Sequence, residues 1–238
     1  MVTQLFYEDF PYPNYLSFCH PDGTFLTDYE SPFFGRNPDL EAMVVLVGCG
    51  TLEAPIIADG LPKSKILGVD ISSESLKIAA QVTRANRLNN VYLKQHDITY
   101  VSPLPRAADY VLANCCLHHI PEVDLALQNI KATLQPGGIL GGTLYMKTAE
   151  RDEIADAIQR FNLTGKTPDE ARELLVGNPW FERHQKSDQE VADTWLNPYY
   201  LDYTEDMTTE LLERNGFKAV YIDTLPEKNF IRFAAKAA

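Results

Sequence analysis

The chain has 238 residues, 45% of them hydrophobic and 23% charged, a balance that can bury a sizeable core and excludes a disordered segment. Its formal net charge of −12 excludes the broad cationic surface on which most nucleic-acid affinity rests. No window approaches the roughly 20 apolar residues of a membrane span, and Met1 to Phe10 lacks a cationic signal-peptide start, so the expectation is a cytoplasmic protein with no membrane span.

Residues 1–42 are rich in aromatic residues and carry prolines at 11, 13, 21, 32 and 38, which forbid a long helix. So aromatic a segment is expected to pack as a strap across the core; simple packing and closure over a ligand both remain open for its tyrosines. Residues 43–47, with the apolar run Val44-Val45-Leu46-Val47, then read as a first buried strand that breaks into the turn Gly48-Cys49-Gly50-Thr51. Glycine in such a turn tolerates positive φ and lets the backbone approach a ligand. A helix is expected from Leu52, capped by Thr51, with Glu53 in its first turn.

Residues 65–70 predict a second strand ending in Asp70, and Ser72 a cap for a helix whose buried face carries Leu76, Ala80 and Thr83. Residues 91–95 predict a third strand that runs into His96-Asp97-Ile98, and residues 108–114 a fourth. Val123, Leu127, Ile130 and Leu134 recur at helical spacing, with a stop at Pro136-Gly137-Gly138, before a fifth strand over 139–145. Strands alternating with helices at this pitch predict an α/β, doubly wound, mostly parallel sheet.

From Lys147 the pattern changes. A helix with Ile154, Ile158 and Phe161 on one face is followed by the capping box Thr167-Pro168-Asp169-Glu170 and a short helix to Val176. Residues 177–203, with six Trp, Phe and Tyr residues singled out between Trp180 and Tyr203, read as an irregular lid or binding loop. Thr204 caps a last helix that Asn215-Gly216 ends, and 217–222 with 230–234 predict an antiparallel edge hairpin. The expected organisation is one domain over 1–238: a strap (1–42), a core (43–146), an aromatic and helical insertion (147–203) and a closing helix with hairpin (204–238).

In an open α/β sheet, ligands bind beyond the carboxyl ends of the strands, where strand order reverses. Gly48, Gly50, Asp70, Asp97 and Asn114 all fall at such ends, and a carboxylate at Asp70 can accept both hydroxyls of a ribose. The position three beyond Gly50 is Glu53 rather than glycine, so pyrophosphate is disfavoured and a phosphate-free nucleoside is expected. The four cysteines, Cys19, Cys49, Cys115 and Cys116, form no CxxC and predict buried thiols, with no metal site.

Five motifs in order, VLVGCGT (45–51), GVDIS (68–72), HDI (96–98), ANCCLHHI (113–120) and LQPGG (134–138), resemble the class I S-adenosylmethionine-dependent methyltransferases. Within them the chain is similar to a bacterial subgroup with a leader reading Tyr7-Glu8-Asp9-Phe10-Pro11-Tyr12-Pro13, the turn Leu46 to Thr51, a Leu144-Tyr145 pair and a tail from Asn197-Pro198 to Gly216-Phe217. The resemblance implies a Rossmann-like seven-stranded sheet and S-adenosyl-L-methionine as methyl donor, with S-adenosyl-L-homocysteine as product. It places Gly48, Cys49 and Gly50 at the methionine portion, Asp70 at the ribose, Asp97 and Ile98 at the adenine, and Asn114 near the sulfonium, with Thr51 and Ile71 also among the cofactor-binding residues. Two positions depart from the pattern: Leu46 stands where an acid is usual and Leu52 where a third glycine is usual. Glu53, Asn114 or a leader tyrosine is expected to replace the missing acid.

His119 and Tyr7 are the catalytic candidates, with packing or hydrogen bonding as the other reading of the His118-His119 pair. The acceptor is expected to be a small molecule, with a protein acceptor left open. Two other functions stand beside transfer. A protein that binds the donor without turnover is compatible with Leu46, and a nicotinamide oxidoreductase would require stabilisation by NADH and none by the methyl donor.

Overall fold

In the computed structural model, which describes residues 2–28, 33–101, 107–183, 187–225 and 229–238, the apolar run after Ala42 is strand β1 (Met43–Val47), buried over its last four residues. It pairs in parallel with β2 (Lys65–Asp70) on one side and β4 (Ala108–Asn114) on the other. β3 (Val91–Gln95) lies parallel outside β2, and β5 (Leu134–Tyr145) parallel outside β4. β7 (Phe230–Ala237) runs antiparallel to β5, and β6 (Phe217–Leu225) antiparallel to β7, giving the order β3-β2-β1-β4-β5-β7-β6. This is the expected mostly parallel seven-stranded sheet with an antiparallel edge hairpin. Pro32 and the hairpin tip at 226–228 lie outside the described residues.

Side chains alternate across a strand, so the two sheet faces have separate cores. Val45 and Val47 face a cluster with Leu127 and Ile130 of α4 (Val123–Thr133) and Leu211 and Leu212 of α9 (Glu205–Arg214). Val44 and Leu46 face a cluster with Ala54 and Ile57 of α2 (Glu53–Gly60) and Leu76 of α3 (Ser73–Ala85). Leu46 is fully buried there.

Several local expectations need correction. The leader opens with helix α1 (Val2–Asp9), which fits ahead of Pro11 because a proline, lacking an N–H to continue a helix, disfavours the helical conformation at the residue before it, here Phe10, and α1 has ended by then. The residue preceding α2 is Leu52 and not Thr51; the Thr51 hydroxyl instead donates to the Pro13 carbonyl, 2.7 Å away, and so holds the leader. The buried face of α3 carries Ser75, Leu76, Ala79 and Val82 rather than Ala80 and Thr83. Pro136-Gly137-Gly138 lies within β5, whose pairing with β4 shifts register there, while α4 has already ended at Thr133.

The insertion is also more regular than its composition suggests. After α5 (Ala149–Phe161) and α6 (Pro168–Leu174) come α7 (Pro179–Arg183), α8 (Asp188–Val191) and a π-helical turn, Ala192–Leu196. Ile154, Phe181, Val191 and Trp195 form a small core of their own, against which Phe6 and Phe10 of the leader pack. α6, α7 and α8 are only 7, 5 and 4 residues long, so periodicity alone had little length in which to show.

Candidate functional site

Strand order reverses between β1 and β4, and there the loops after them diverge around a cavity of about 470 Å³. Its floor is the turn after β1. Gly48 and Gly50 both have positive φ, and the space a Cβ would need is taken: at Gly48 it would lie 2.6 Å from Cys116 Cβ, at Gly50 2.4 Å from the Tyr12 carbonyl oxygen. The close approach these glycines permit is therefore to the chain's own leader and to the loop after β4. The Thr51 amide also donates to the Tyr12 carbonyl, at 3.1 Å.

Asp70, at the end of β2, accepts the Gly50 amide on Oδ2 and the Ser72 amide on Oδ1, each at 2.8 Å. Burial raises its pKa from the usual carboxylate value, partly offset by those amides. Asp97 and Ile98 line the cavity from the loop after β3, which Asn129 of α4 clamps by donating to the Ile98 and Tyr100 carbonyls. Glu53, at the start of α2, lines the cavity and hydrogen-bonds Asn114; burial pushes its pKa up to about 8, the Asn114 bond opposing and Asp70 adding to the rise.

The leader closes one side. Glu8 accepts the Ser73 and Glu74 amides at the start of α3, and the Ser72 hydroxyl donates to the Tyr7 carbonyl. These bonds aim Tyr7 inward. Its hydroxyl donates to Asp193 Oδ1 at 3.0 Å and accepts from Asn197 Nδ2 at 2.9 Å. Asp193, on the π-helical turn, takes a second hydroxyl on Oδ2 from Tyr145 at the end of β5, also at 3.0 Å. Leader, insertion and sheet thus meet on one carboxylate. The Tyr145 ring is held from both faces, stacked on His118 at 3.9 Å and under the buried Arg151 guanidinium at 4.1 Å.

His119 sits against this cluster. Its Nδ1 is 3.0 Å from the Tyr199 carbonyl oxygen, its Nε2 3.9 Å from Asp193 Oδ1. Burial lowers its pKa, although Asp193 works in the opposite sense. Cys115 and Cys116 point apart, as adjacent positions at a strand end should: one thiol meets the Thr143 hydroxyl, the other the Val47 carbonyl. Among the described residues, no group of three His, Cys, Asp or Glu could hold a metal ion.

A family model described as a methyltransferase domain matches residues 40–194, well over half of the chain. The chain belongs to that family. Uncharacterized protein RP028 of Rickettsia prowazekii is 27% identical over 142 residues, 58% of this chain and 56% of that protein. The demethylmenaquinone methyltransferase of Geobacillus stearothermophilus is 32% identical over 107 residues, 44% of each. The chain thus spans about half the length of the curated relatives it matches. The structure of PKMT2 from Rickettsia typhi in complex with AdoHcy superposes with a TM-score of 0.65 at 20% identity, covering 92% of this chain and 54% of that one.

Gly48, Cys49, Gly50, Asp70, Ile71, Asp97, Ile98, Asn114 and His119 of this methyltransferase domain, and Tyr7 of the leader before it, all line this cavity. Thr51 does not; it holds the leader from behind the turn. Leu46 does not either, whereas Glu53, Asn114 and the leader tyrosines Tyr7 and Tyr12 all do. Sequence reasoning missed Asp193 and the clamping roles of Glu8 and Tyr145. Asp193 carried no signal, because its partners stand 186 and 48 residues away in the chain. The lining side chains fit S-adenosylmethionine: among the described residues they include the carboxylates of Glu53, Asp70, Asp97 and Asp193 and no Lys or Arg, which suits a cationic nucleoside and opposes a pyrophosphate. Among the described residues, no helix is long and apolar enough to cross a membrane.

Proposed function

We propose that this chain is an S-adenosylmethionine-dependent methyltransferase acting on a small-molecule acceptor. The observation that carries the reading is the acidic cavity at the strand-order reversal, with Asp70 beside the glycine turn and no lysine or arginine in its described lining. The Asp70 carboxylate accepts the Gly50, Ser72 and Ile71 amides and keeps lone-pair capacity for a ribose hydroxyl. Asp97 and Ile98 flank the adenine. Glu53 takes the α-ammonium in place of the acid usual at position 46, since a buried carboxyl with a pKa near 8 gains most from an adjoining cation.

When bound, the donor supplies a methyl group activated by a sulfonium leaving group. What the chain's residues add is orientation and the exclusion of water, through a leader and an insertion locked together at Asp193. The Geobacillus relative is named for demethylmenaquinone, which supports a small acceptor.

Two measurements test this reading. Asp70→Asn keeps one acceptor for the backbone and loses the charge, so calorimetry should show S-adenosylmethionine and S-adenosylhomocysteine weakened alike, by about 10- to 100-fold. Transfer of a labelled methyl group to small-molecule fractions of a cell extract, read by mass spectrometry, should reveal a product. Unchanged affinity in the variant removes Asp70 from the ribose. Tight donor binding without product from any fraction favours a binding protein.

A further inference from the structure

Resting on the methyl-transfer reading, we propose that His119 Nε2 is the base that removes the acceptor's proton, that Asp193 holds the imidazolium so formed, and that the acceptor is a protic molecule without negative charge, a phenol or an amine. The first support is the tautomer. A carbonyl oxygen only accepts, so Nδ1, 3.0 Å from Tyr199 O, carries the ring's proton. Burial keeps the ring neutral near pH 7, which leaves the lone pair on Nε2. That atom is buried, lacks a hydrogen-bond partner among the described residues, and belongs to a side chain lining the cavity.

The second support is Asp193. Both its oxygens already accept tyrosine hydroxyls, and Oδ1 stands 3.9 Å from Nε2, close enough to stabilise a positive ring without withdrawing the lone pair beforehand. The neighbouring candidates are poorer bases. The Tyr7 proton is committed to Asp193 and burial raises that phenol's pKa further; burial pushes the Cys115 thiol up to about 12. Asn114 engages Glu53 beside the glycine turn.

The third support is the charge of the lining, in which the carboxylates of Asp70, Asp97 and Asp193 meet no Lys or Arg among the described residues. A carboxylate or phosphate acceptor would be desolvated there against like charge, whereas a phenol brings no charge and an ammonium meets charge of opposite sign. Tyr12 and Phe18 add aromatic surface for a ring or a cation. In the transfer, the acceptor's O–H or N–H bond breaks and its proton goes to Nε2. The freed pair forms the bond to the methyl carbon, and the pair of the broken S–C bond stays on sulfur as a thioether. With a phenol the positive charge lost from sulfur reappears on the imidazole, beside Asp193; with an ammonium the imidazole takes the acceptor's own charge with its proton, and the charge lost from sulfur passes to the methylated nitrogen.

The test uses the full chain bound to S-adenosylhomocysteine. Nitrogen-15 NMR of the imidazoles should show His119 Nε2 unprotonated. Titration with three probes of one shape, 4-methylphenol, 4-methylbenzylamine and 4-methylbenzoate, should show the first two binding at least about 10-fold tighter than the third. His119→Asn keeps a donor for the Tyr199 carbonyl and removes Nε2. It should retain S-adenosylhomocysteine affinity and lose about 10²- to 10³-fold in kcat/KM for whichever acceptor the transfer screen yields. The wild-type rate should fall on an acid limb below pH 6.5 that the variant lacks, the ring being set by burial, Asp193, Tyr7, His118, Arg151 and Asp202 around it. A protonated Nε2, tighter 4-methylbenzoate, or an unimpaired His119→Asn overturns this proposal alone. Absence of S-adenosylhomocysteine affinity in the wild type overturns the transfer reading and this proposal with it.

Discussion

Glu53 shows how a single residue can change meaning between chain and fold. In the sequence it is a first-turn acid favourable to a helix dipole and hostile to phosphate; in the fold it is half-buried in the cavity wall, where desolvation raises its pKa from 4.5 to about 8. Between those values the folded state holds a proton that the unfolded chain has lost, so stability without ligand falls as pH rises from about 4.5 to about 8. Glu53→Gln has no such proton to hold. Its melting temperature should therefore gain on the wild type as pH is raised from 5 to 8, by differential scanning calorimetry, and S-adenosylmethionine and S-adenosylhomocysteine should both bind it more weakly. Binding to the wild type near pH 7 should release a proton, seen as a buffer-dependent heat. At the turn itself, Gly48→Ala should destabilise by roughly 1–3 kcal/mol more than Gly137→Ala. Both glycines have positive φ, but only Gly48 has a neighbour where the methyl would go.

At the scale of elements, the leader is a strap with two different anchors. Glu8 caps α3, and the carbonyls of Tyr12 and Pro13 receive the amide and hydroxyl of Thr51. Glu8 is partly buried, yet the Ser73 and Glu74 amides outweigh that and hold its pKa below the usual value, so this contribution is present near neutral pH and lost as acid protonates it. Deleting residues 1–15 should abolish retention of S-adenosylhomocysteine while the sheet still melts cooperatively, because the strands bury their own cores. A fully retentive truncation would dismiss the strap as a cavity wall. Tyr7→Phe is a finer probe. It keeps the ring and loses both hydroxyl bonds, to Asp193 and from Asn197, so limited proteolysis within 187–203 should speed up with little change in far-UV circular dichroism.

Across the whole molecule, the sheet is one rigid half of the cavity and the leader with the insertion is the other. Phe6 and Phe10 join the insertion's own small core, so the two covering segments move as partners if they move. Hydrogen exchange with and without S-adenosylhomocysteine should therefore show protection arising together in residues 2–20 and 187–203, with β1, β4 and β5 unchanged. Protection confined to the glycine turn would separate the covers from the ligand.

The sequence by itself determined the alternation of strands and helices, the seven-stranded sheet, and which loops carry Gly48, Asp70, Asp97 and Asn114. These come from signals within a few residues: apolar period, caps and glycine turns, each read where it acts. Thr51 and the face of α3 misled it because capping and amphipathicity were competing with a partner elsewhere, the leader for Thr51 and the sheet's packing register for α3. Asp193, the tautomer of His119 and the pKa of Glu53 were decided only by the tertiary structure. Burial and long-range hydrogen bonding set all three, and neither leaves a periodic trace in the chain.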